Sequence, residues 1–176
     1  MRNAIIVDVD GTLALMEGKR RPFDYHRSFD DTPNKPIFKL VKDIYIGNNG
    51  LNNQYHLEVF IFSGRENKPL SEKQRKYYVG AIARESNDIL GMTDVWLRYY
   101  FHSVGLDFGT YNPDFHLHLR EYKDHRPDSV VKKEMYNNII KDKYNVLYVI
   151  DDRNQVVNMW RNDLGLPTLQ VADGDF

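Results

Sequence analysis

A chain of 176 residues with 41% hydrophobic and 28% charged content is long enough to bury a substantial core as one domain, 1–176. Its formal net charge of −1 gives no whole-chain attraction to nucleic acid, so any such binding needs a local patch. The absence of cysteine excludes disulfides and thiolate metal sites and fits a cytoplasmic setting, and no apolar run approaches the ~20 residues of a membrane span.

Met1-Arg2-Asn3 leads straight into Ile5-Ile6-Val7, which leaves no room for a signal peptide. That β-branched run suits a strand buried on both faces inside a parallel sheet. It ends in Asp8-Val9-Asp10-Gly11-Thr12. Carboxylates cannot stay unpaired in such a core, so the strand is expected to deliver them to its carboxyl end, where open α/β sheets bind ligands. At period 2, Asp8 and Asp10 point the same way in an ideal strand, and Gly11 permits a sharp turn with close backbone approach. Taken alone, the run fits a strand entering an Asp-Gly turn equally well.

Ala14 to Lys35 lacks periodicity and predicts a loop or small flap over that edge. Its Lys19-Arg20-Arg21 triplet suits a solvated surface or, from its position, an anion clamp. Pro36 opens a helix whose Ile37, Leu40, Val41 and Ile44 form one apolar stripe, and Gly47-Asn48-Asn49-Gly50 stops it. Leu57 to Phe62 is a second strand, ending in Ser63-Gly64-Arg65-Glu66. A hydroxyl, backbone N–H groups near a glycine and a guanidinium together make a phosphate cradle.

Ser71 to Leu90 is predicted helical, with Ser71 as N-cap and Gly91 as its stop; Thr93 then caps a second helix through Trp96, Leu97, Tyr100 and Phe101. The aromatic residues of this region suit packing. Phe115 to Arg120 alternates as a short strand, and its His116 and His118 share a face but lack the third ligand spacing of a zinc site. Asp128-Ser129 starts a helix through Lys141. Lys132 and Lys133 are expected in its first turn, where the helix dipole disfavours cations, a conflict that hints at another task. Val146 to Ile150 is the third strong strand and ends in Asp151-Asp152. Adjacent aspartates at a buried strand end repel, and a cation is the simplest way to hold them close. A helix from Asn154 to Leu164 and a strand from Thr168 to Val171 close the chain.

Strands alternating with helices predict a doubly wound, mostly parallel sheet that gathers Asp8, Asp10, Ser63, Arg65, Asp151 and Asp152 around one crevice, with Lys132 nearby. Four carboxylates with a Ser, an Arg and a Lys fit phosphoryl transfer through an aspartyl-phosphate. An attacking carboxylate and a phosphate repel by about 4 kcal/mol per unit-charge pair at about 4 Å and an effective dielectric near 20. Mg²⁺ held by carboxylates, with Lys and Arg on the phosphate oxygens, supplies the neutralisation this chemistry needs.

The four ordered motifs, Asp8-Val9-Asp10-Gly11-Thr12, Ser63-Gly64-Arg65, Lys132 and Asp151-Asp152, resemble those of the haloacid dehalogenase (HAD) superfamily. The longer stretches Val7 to Leu13, Ser63 to Glu66, Asp128 to Lys132 and Ile150 to Arg161, with the closing Gln170 to Phe176, resemble the 3′-phosphatase domain of phage polynucleotide kinase. The resemblance covers nearly the whole chain. It implies a HAD-like Rossmannoid fold with Asp8 as nucleophile and Mg²⁺ ligand, and Asp10 as general acid/base and backbone-carbonyl ligand. Asp152 would ligate Mg²⁺ and Asp151 would assist through water. Ser63 and Lys132 would bind the phosphate, Arg65 would steady the phosphate or the strand, Asp128 would orient Lys132, and Arg20 or Arg21 would contact substrate from a flap about one residue longer than the family's.

Most of Asn67 to Met92 is an added helix relative to that family. No GxxxxGK[ST] stretch is present, so the 5′-kinase half of the bifunctional enzymes has no counterpart here. The expected substrate is a DNA or RNA 3′-phosphate end, in the host cytoplasm if the source is viral. A HAD phosphatase acting on small phosphomonoesters such as nucleotides is the alternative. A non-catalytic phosphate-end binder is disfavoured because every chemical position is filled.

Overall fold

The computed structural model describes residues 1–50, 56–77, 86–109 and 112–174. Five strands form one all-parallel sheet: β1 (Arg2–Val7), β4 (Leu57–Glu66), β5 (Phe115–Arg120), β6 (Tyr144–Arg153) and β7 (Thr168–Gly174). Their spatial order is β5-β4-β1-β6-β7. The chain therefore leaves β1 first toward one edge and later toward the other, and the switch point falls between β1 and β6. Ligands in doubly wound sheets bind outside the carboxyl ends of the strands at such a point. The predicted doubly wound α/β fold is the observed one.

One face of the sheet is covered by α1 (Lys35–Asn49) and α3 (Ile89–Ser103), whose Phe38, Val41, Trp96, Leu97 and Phe101 bury against Ile5, Val7, Val59 and Ile61. The opposite face is covered by α4 (Asp128–Met135) and α5 (Asn154–Asn158), each running into a single π turn, Tyr136–Ile140 and Met159–Asp163. There Ile140, Val156, Met159 and Trp160 meet Ala4, Ile6, Phe60 and Phe62. The alternation along β1, with Ile5 and Val7 on one face and Ala4 and Ile6 on the other, explains its unbroken apolar run.

The predicted flap has a defined frame. Two short strands, β2 (Ala14–Leu15) and β3 (Thr32–Pro33), pair antiparallel and enclose a 3₁₀ turn, Tyr25–Asp30. The long helix expected from Ser71 to Leu90 is not what forms. Ser71 does start a helix, α2 (Glu72–Tyr77), through a capping box: Ser71 Oγ accepts from the Gln74 N–H at 3.3 Å and Gln74 Oε1 from the Ser71 N–H at 2.9 Å. Residues 78–85 of the expected helix lie outside the described residues. Asp88, rather than Thr93, caps the next helix, its side chain accepting the Gly91 N–H at 2.8 Å. Gly91 thus lies in the first turn of α3 rather than ending a helix, and Thr93 is buried in the helix interior. An aspartate satisfying an orphan N–H outweighed the usual meaning of glycine as a stop. Among the described residues, no helix is long and apolar enough to cross a membrane.

His116 and His118 do share a sheet face, and both stack on Phe60, with ring centroids 4.4 and 6.4 Å away. His116 Nε2 bonds the buried Glu58 at 2.7 Å. Burial, reinforced by His116, holds His118 below the usual imidazole range. Its folded-state pKa is lower than the unfolded one, so its contribution to stability is complete above the unfolded pKa of about 6.5 and is lost as pH falls through the folded value. The fall in melting temperature between about pH 7.5 and about pH 5.5 should accordingly be smaller in His118→Gln than in the parent. Equal falls in a thermal-denaturation series would assign the acid sensitivity to other groups.

Candidate active site

The carboxyl ends of β1, β4 and β6 converge on a buried cluster of charges. Asp8 follows β1, and its N–H donates to the Ile150 carbonyl at 2.9 Å, continuing the ladder toward β6. Asp151 and Asp152 are the eighth and ninth residues of β6, each about 1% exposed. One oxygen from each of Asp8, Asp151 and Asp152 lies within 4.8 Å of the others. Lys132 reaches in from α4: its Nζ donates to Asp8 Oδ1 at 2.5 Å and to Asp151 Oδ2 at 2.8 Å. The structure puts Lys132 and Lys133 in the last turn of α4 rather than its first, where the helix dipole favours cations, so the expected conflict does not arise. Lys132 is buried, whereas Lys133 pairs at the surface with Asp163 at 2.8 Å.

Three carboxylates against one ammonium leave two negative charges uncompensated in a buried cluster. Burial pushes the Asp8 pKa well above the ordinary carboxylate range; Lys132 opposes this, and Asp151 and Asp152 add to it. Burial and Asp151 likewise raise Asp152. Lys132 is opposed by burial, but Asp151 and Asp8 overcome it and keep the amine firmly protonated. Asp152 shows where the missing charge belongs. Its Oδ1 accepts from Thr12 Oγ1 at 3.1 Å, while its Oδ2 is buried with no partner among the described residues. An unsatisfied buried carboxylate oxygen beside two further carboxylates fits a hard divalent cation.

Gly11 closes this pocket. Its φ is +90°, and a Cβ placed there would lie 2.1 Å from Asp152 Oδ2. Glycine was expected here for a turn and for closeness to whatever the carboxylates hold; the closest neighbour is the Asp152 carboxylate itself. The β7 strand buttresses the same residue from behind, with Gln170 Nε2 donating to the Asp152 carbonyl at 3.0 Å. Asp151 is also anchored by the Trp160 indole N–H at 3.3 Å and the Arg153 N–H at 3.2 Å.

Asp10 belongs to a second charge network beside the first. Arg65, fully buried on β4, donates through Nε to Asp10 Oδ2 at 2.9 Å and through Nη2 to Asp10 Oδ1 at 2.8 Å. Arg20, from the flap, donates through Nη2 to Asp10 Oδ1 at 2.6 Å. Asp31 bridges both guanidiniums, at 2.7 and 2.8 Å to Arg20 and 2.9 Å to Arg65. Burial alone would raise Asp10, but Arg65 and then Arg20 hold its pKa below the ordinary value. Both guanidiniums thus face carboxylates rather than open solvent, and Arg65 reaches its remaining partner, Thr93 Oγ1, at 3.3 Å. Of the two flap arginines, Arg20 joins the site; Arg21 is exposed and offers its carbonyl to Arg20.

Ser63 is buried beside Arg65, its Oγ accepting the Arg65 N–H at 3.1 Å, which leaves the hydroxyl proton for a ligand. Asp128 stands apart from the expectation that it orients Lys132. Its carboxylate is held by Arg120 and Arg153, and the carboxylate on Lys132 besides Asp8 is Asp151. Arg120 in turn donates to the Gly64 carbonyl at 2.9 Å, so Asp128, through Arg120, steadies the irregular end of β4 that carries the second motif. Asp31, Thr93 and Arg120 carried no signal in the sequence. Thr12, Arg153 and Trp160 lie inside the motif stretches, with no role visible until the fold aligns them.

The family profile of the polynucleotide kinase PNKP phosphatase domain matches residues 2–176. The chain belongs to this family. A putative bifunctional polynucleotide kinase/RNA ligase of Autographa californica nuclear polyhedrosis virus is 30% identical over 168 residues, 94% of this chain and 19% of that protein. Two solved structures of Pnkp1/Rnl/Hen1 assemblies, one described as an RNA repair complex, contain chains 32% identical with a TM-score of 0.69. Each match covers 100% of this chain, and 48% or 44% of the other. The chain thus spans less than half the length of these relatives. Membership shows a HAD-type phosphatase domain of the kind found in nucleic-acid repair proteins.

Two costs combine if Gly11 gains a methyl group: about 1–2 kcal/mol for a left-handed backbone and about 1–3 kcal/mol for overpacking. Gly11→Ala should therefore lower the melting temperature by roughly 5–15 °C. A calorimetric midpoint matching the parent's would mean that Asp152 can retreat from the turn without cost.

Proposed function

We propose that residues 1–176 act as one polynucleotide 3′-phosphatase domain, hydrolysing 3′-phosphate ends of DNA or RNA in nucleic-acid end repair. The observation that carries this reading is the placement of Asp8 against Lys132 and the unpartnered Asp152 oxygen, at the switch point of a sheet in this family. In the first step a carboxylate oxygen of Asp8 attacks phosphorus, the P–O3′ bond breaks, and O3′ takes a proton from Asp10. In the second, Asp10 accepts a proton from water as its oxygen attacks the aspartyl-phosphate, freeing Asp8 and inorganic phosphate. Arg20 and Arg65 favour the ionised Asp10 that the second step needs; an arriving phosphate dianion opposes them and favours proton uptake before the first.

Lys132 has two of its three N–H groups on carboxylates, so one remains for a phosphate oxygen, beside the Ser63 hydroxyl. Asp8 and Asp152, with the Asp10 carbonyl and Asp151 through water, would hold Mg²⁺, which supplies neutralisation of phosphate charge when bound. Arg120, Arg153 and Asp128 keep the end of β4 at Gly64 in position.

Turnover of a 3′-phosphorylated oligonucleotide should exceed that of its 5′-phosphorylated counterpart and of free nucleotides, and Asp8→Asn should lower it on the order of a thousandfold or more. Equal or better turnover of free nucleotides would favour a small-molecule phosphatase, and hydrolysis retained in Asp8→Asn would remove the covalent mechanism.

Mg²⁺ should also stabilise the fold by mass action, by about 2.7 kcal/mol at a hundredfold excess over its Kd, or roughly 5–10 °C. Asp152→Asn should abolish that shift. The absence of any Mg²⁺-dependent shift in the parent at millimolar metal would count against a preformed cation site.

A further inference from the structure

Phe23 is 78% exposed, an unusual place for a phenylalanine that adds nothing to the core. It does not sit on a loose segment. Pro22 precedes it, and Arg20 is tied to Asp31 at 2.7 Å across the flap. The flap is also anchored at its base, where Asn34 Nδ2 donates to the Thr12 carbonyl at 2.9 Å. Edge-on against Phe23, with ring centroids 6.3 Å apart, stands Tyr25. The Tyr25 ring lies beside the Arg20 guanidinium, 5.8 Å away, and Tyr25 and Phe29, like Leu119, pack on Leu70, Ile89 and Met92. The segment that the sequence marks as an addition, Asn67 to Met92, therefore buttresses the flap through Leu70, Ile89 and Met92.

Tyr25 connects Phe23 to the chemistry. Its ring lies 5.8 Å from the Arg20 guanidinium that donates to Asp10 Oδ1 at 2.6 Å, which sets Tyr25 in the flap wall beside the Asp10 network. Phe23 is the exposed continuation of that wall, two residues from the exposed Arg21. An exposed aromatic ring and an exposed basic residue on one flap are the combination that holds single-stranded nucleic acid: the ring stacks a base of any identity and the cation meets backbone phosphate.

Resting on the 3′-phosphatase reading, we propose that Phe23 is a stacking platform for a nucleobase near the 3′ end of the strand whose terminal phosphate lies at Asp8. It is a specificity residue for polynucleotide over smaller phosphomonoesters, and it touches neither the phosphate nor the reacting atoms.

The test compares Phe23→Ala, Phe23→Trp and, as a control for loss of an exposed ring, Tyr99→Ala, a residue 56% exposed on α3. Substrates are a 3′-phosphorylated oligonucleotide, the same strand with an abasic nucleotide at each of the last two positions in turn, a nucleoside 3′-monophosphate and p-nitrophenyl phosphate. Phe23→Ala should lose about tenfold to a hundredfold in kcat/KM on the intact oligonucleotide, chiefly through KM. Phe23→Trp should retain activity, and p-nitrophenyl phosphate turnover and melting temperature should match the parent. At one abasic position the parent should fall to the level of Phe23→Ala. An unchanged Phe23→Ala with oligonucleotide preference intact would overturn the platform alone. Equal loss on p-nitrophenyl phosphate would make Phe23 structural and overturn it too. A parent that prefers free nucleotides would overturn the 3′-phosphatase reading and the platform with it.

Discussion

Everything at the carboxyl edge of this sheet depends on the burial of three aspartates around one ammonium. Lys132 bonds Asp8 and Asp151, and Asp152 is left with an oxygen that nothing among the described residues satisfies. Such a cluster is a poor source of stability, because desolvating ions costs as much as their attraction returns, and removing one member leaves an uncompensated buried charge at about 3–5 kcal/mol. It persists because two hydrophobic layers clamp the strands that carry it. The value of the arrangement lies in its imbalance: a pocket short of two positive charges is prepared for a cation and for the charge changes of phosphoryl transfer.

Beside it stands a second network of opposite design. Arg20 and Arg65 face Asp10 and Asp31, two charges of each sign, fully paired. The two aspartates of one short motif therefore have different electrostatic surroundings. Asp8 is pushed toward protonation by burial and by its like-charged neighbours, while Asp10 is held ionised by two guanidiniums. An attacking carboxylate is ionised and a general acid protonated, so the roles proposed for Asp8 and Asp10 need the charge of a bound cation and an arriving phosphate to reverse these directions. Arg20 and Arg65 both hold the Asp10 carboxylate, and Asp128 is held by Arg120 and Arg153, Arg120 in turn donating to the Gly64 carbonyl.

The flap and the added segment have a shared consequence. Tyr25 and Phe29 rest on Leu70, Ile89 and Met92, so a part of the chain without a chemical group in the site determines how the site is walled. Arg20 is delivered to Asp10 by that same flap. Geometry at Asp10 therefore depends on packing well away from it, which is how loops on a rigid scaffold acquire function.

From the sequence alone, the parallel sheet, its two helical layers and the convergence of Asp8, Asp10, Ser63, Arg65, Lys132, Asp151 and Asp152 were legible. Each of those residues sits at the end of an apolar run or the start of a periodic helix, where buried polar groups have no local explanation. The tertiary structure decided which charge meets which. Asp31 and Arg20 lie in a flap without periodicity, and Thr93 looked like a cap because its hydroxyl is the usual one at helix starts. Asp88 won that position by satisfying an N–H that Thr93 could not reach, and freed Thr93 to meet Arg65. Strand ends are announced by hydrophobic pattern, which is local. Partners 28 to 140 residues apart are chosen by distance and charge, which only the folded chain supplies.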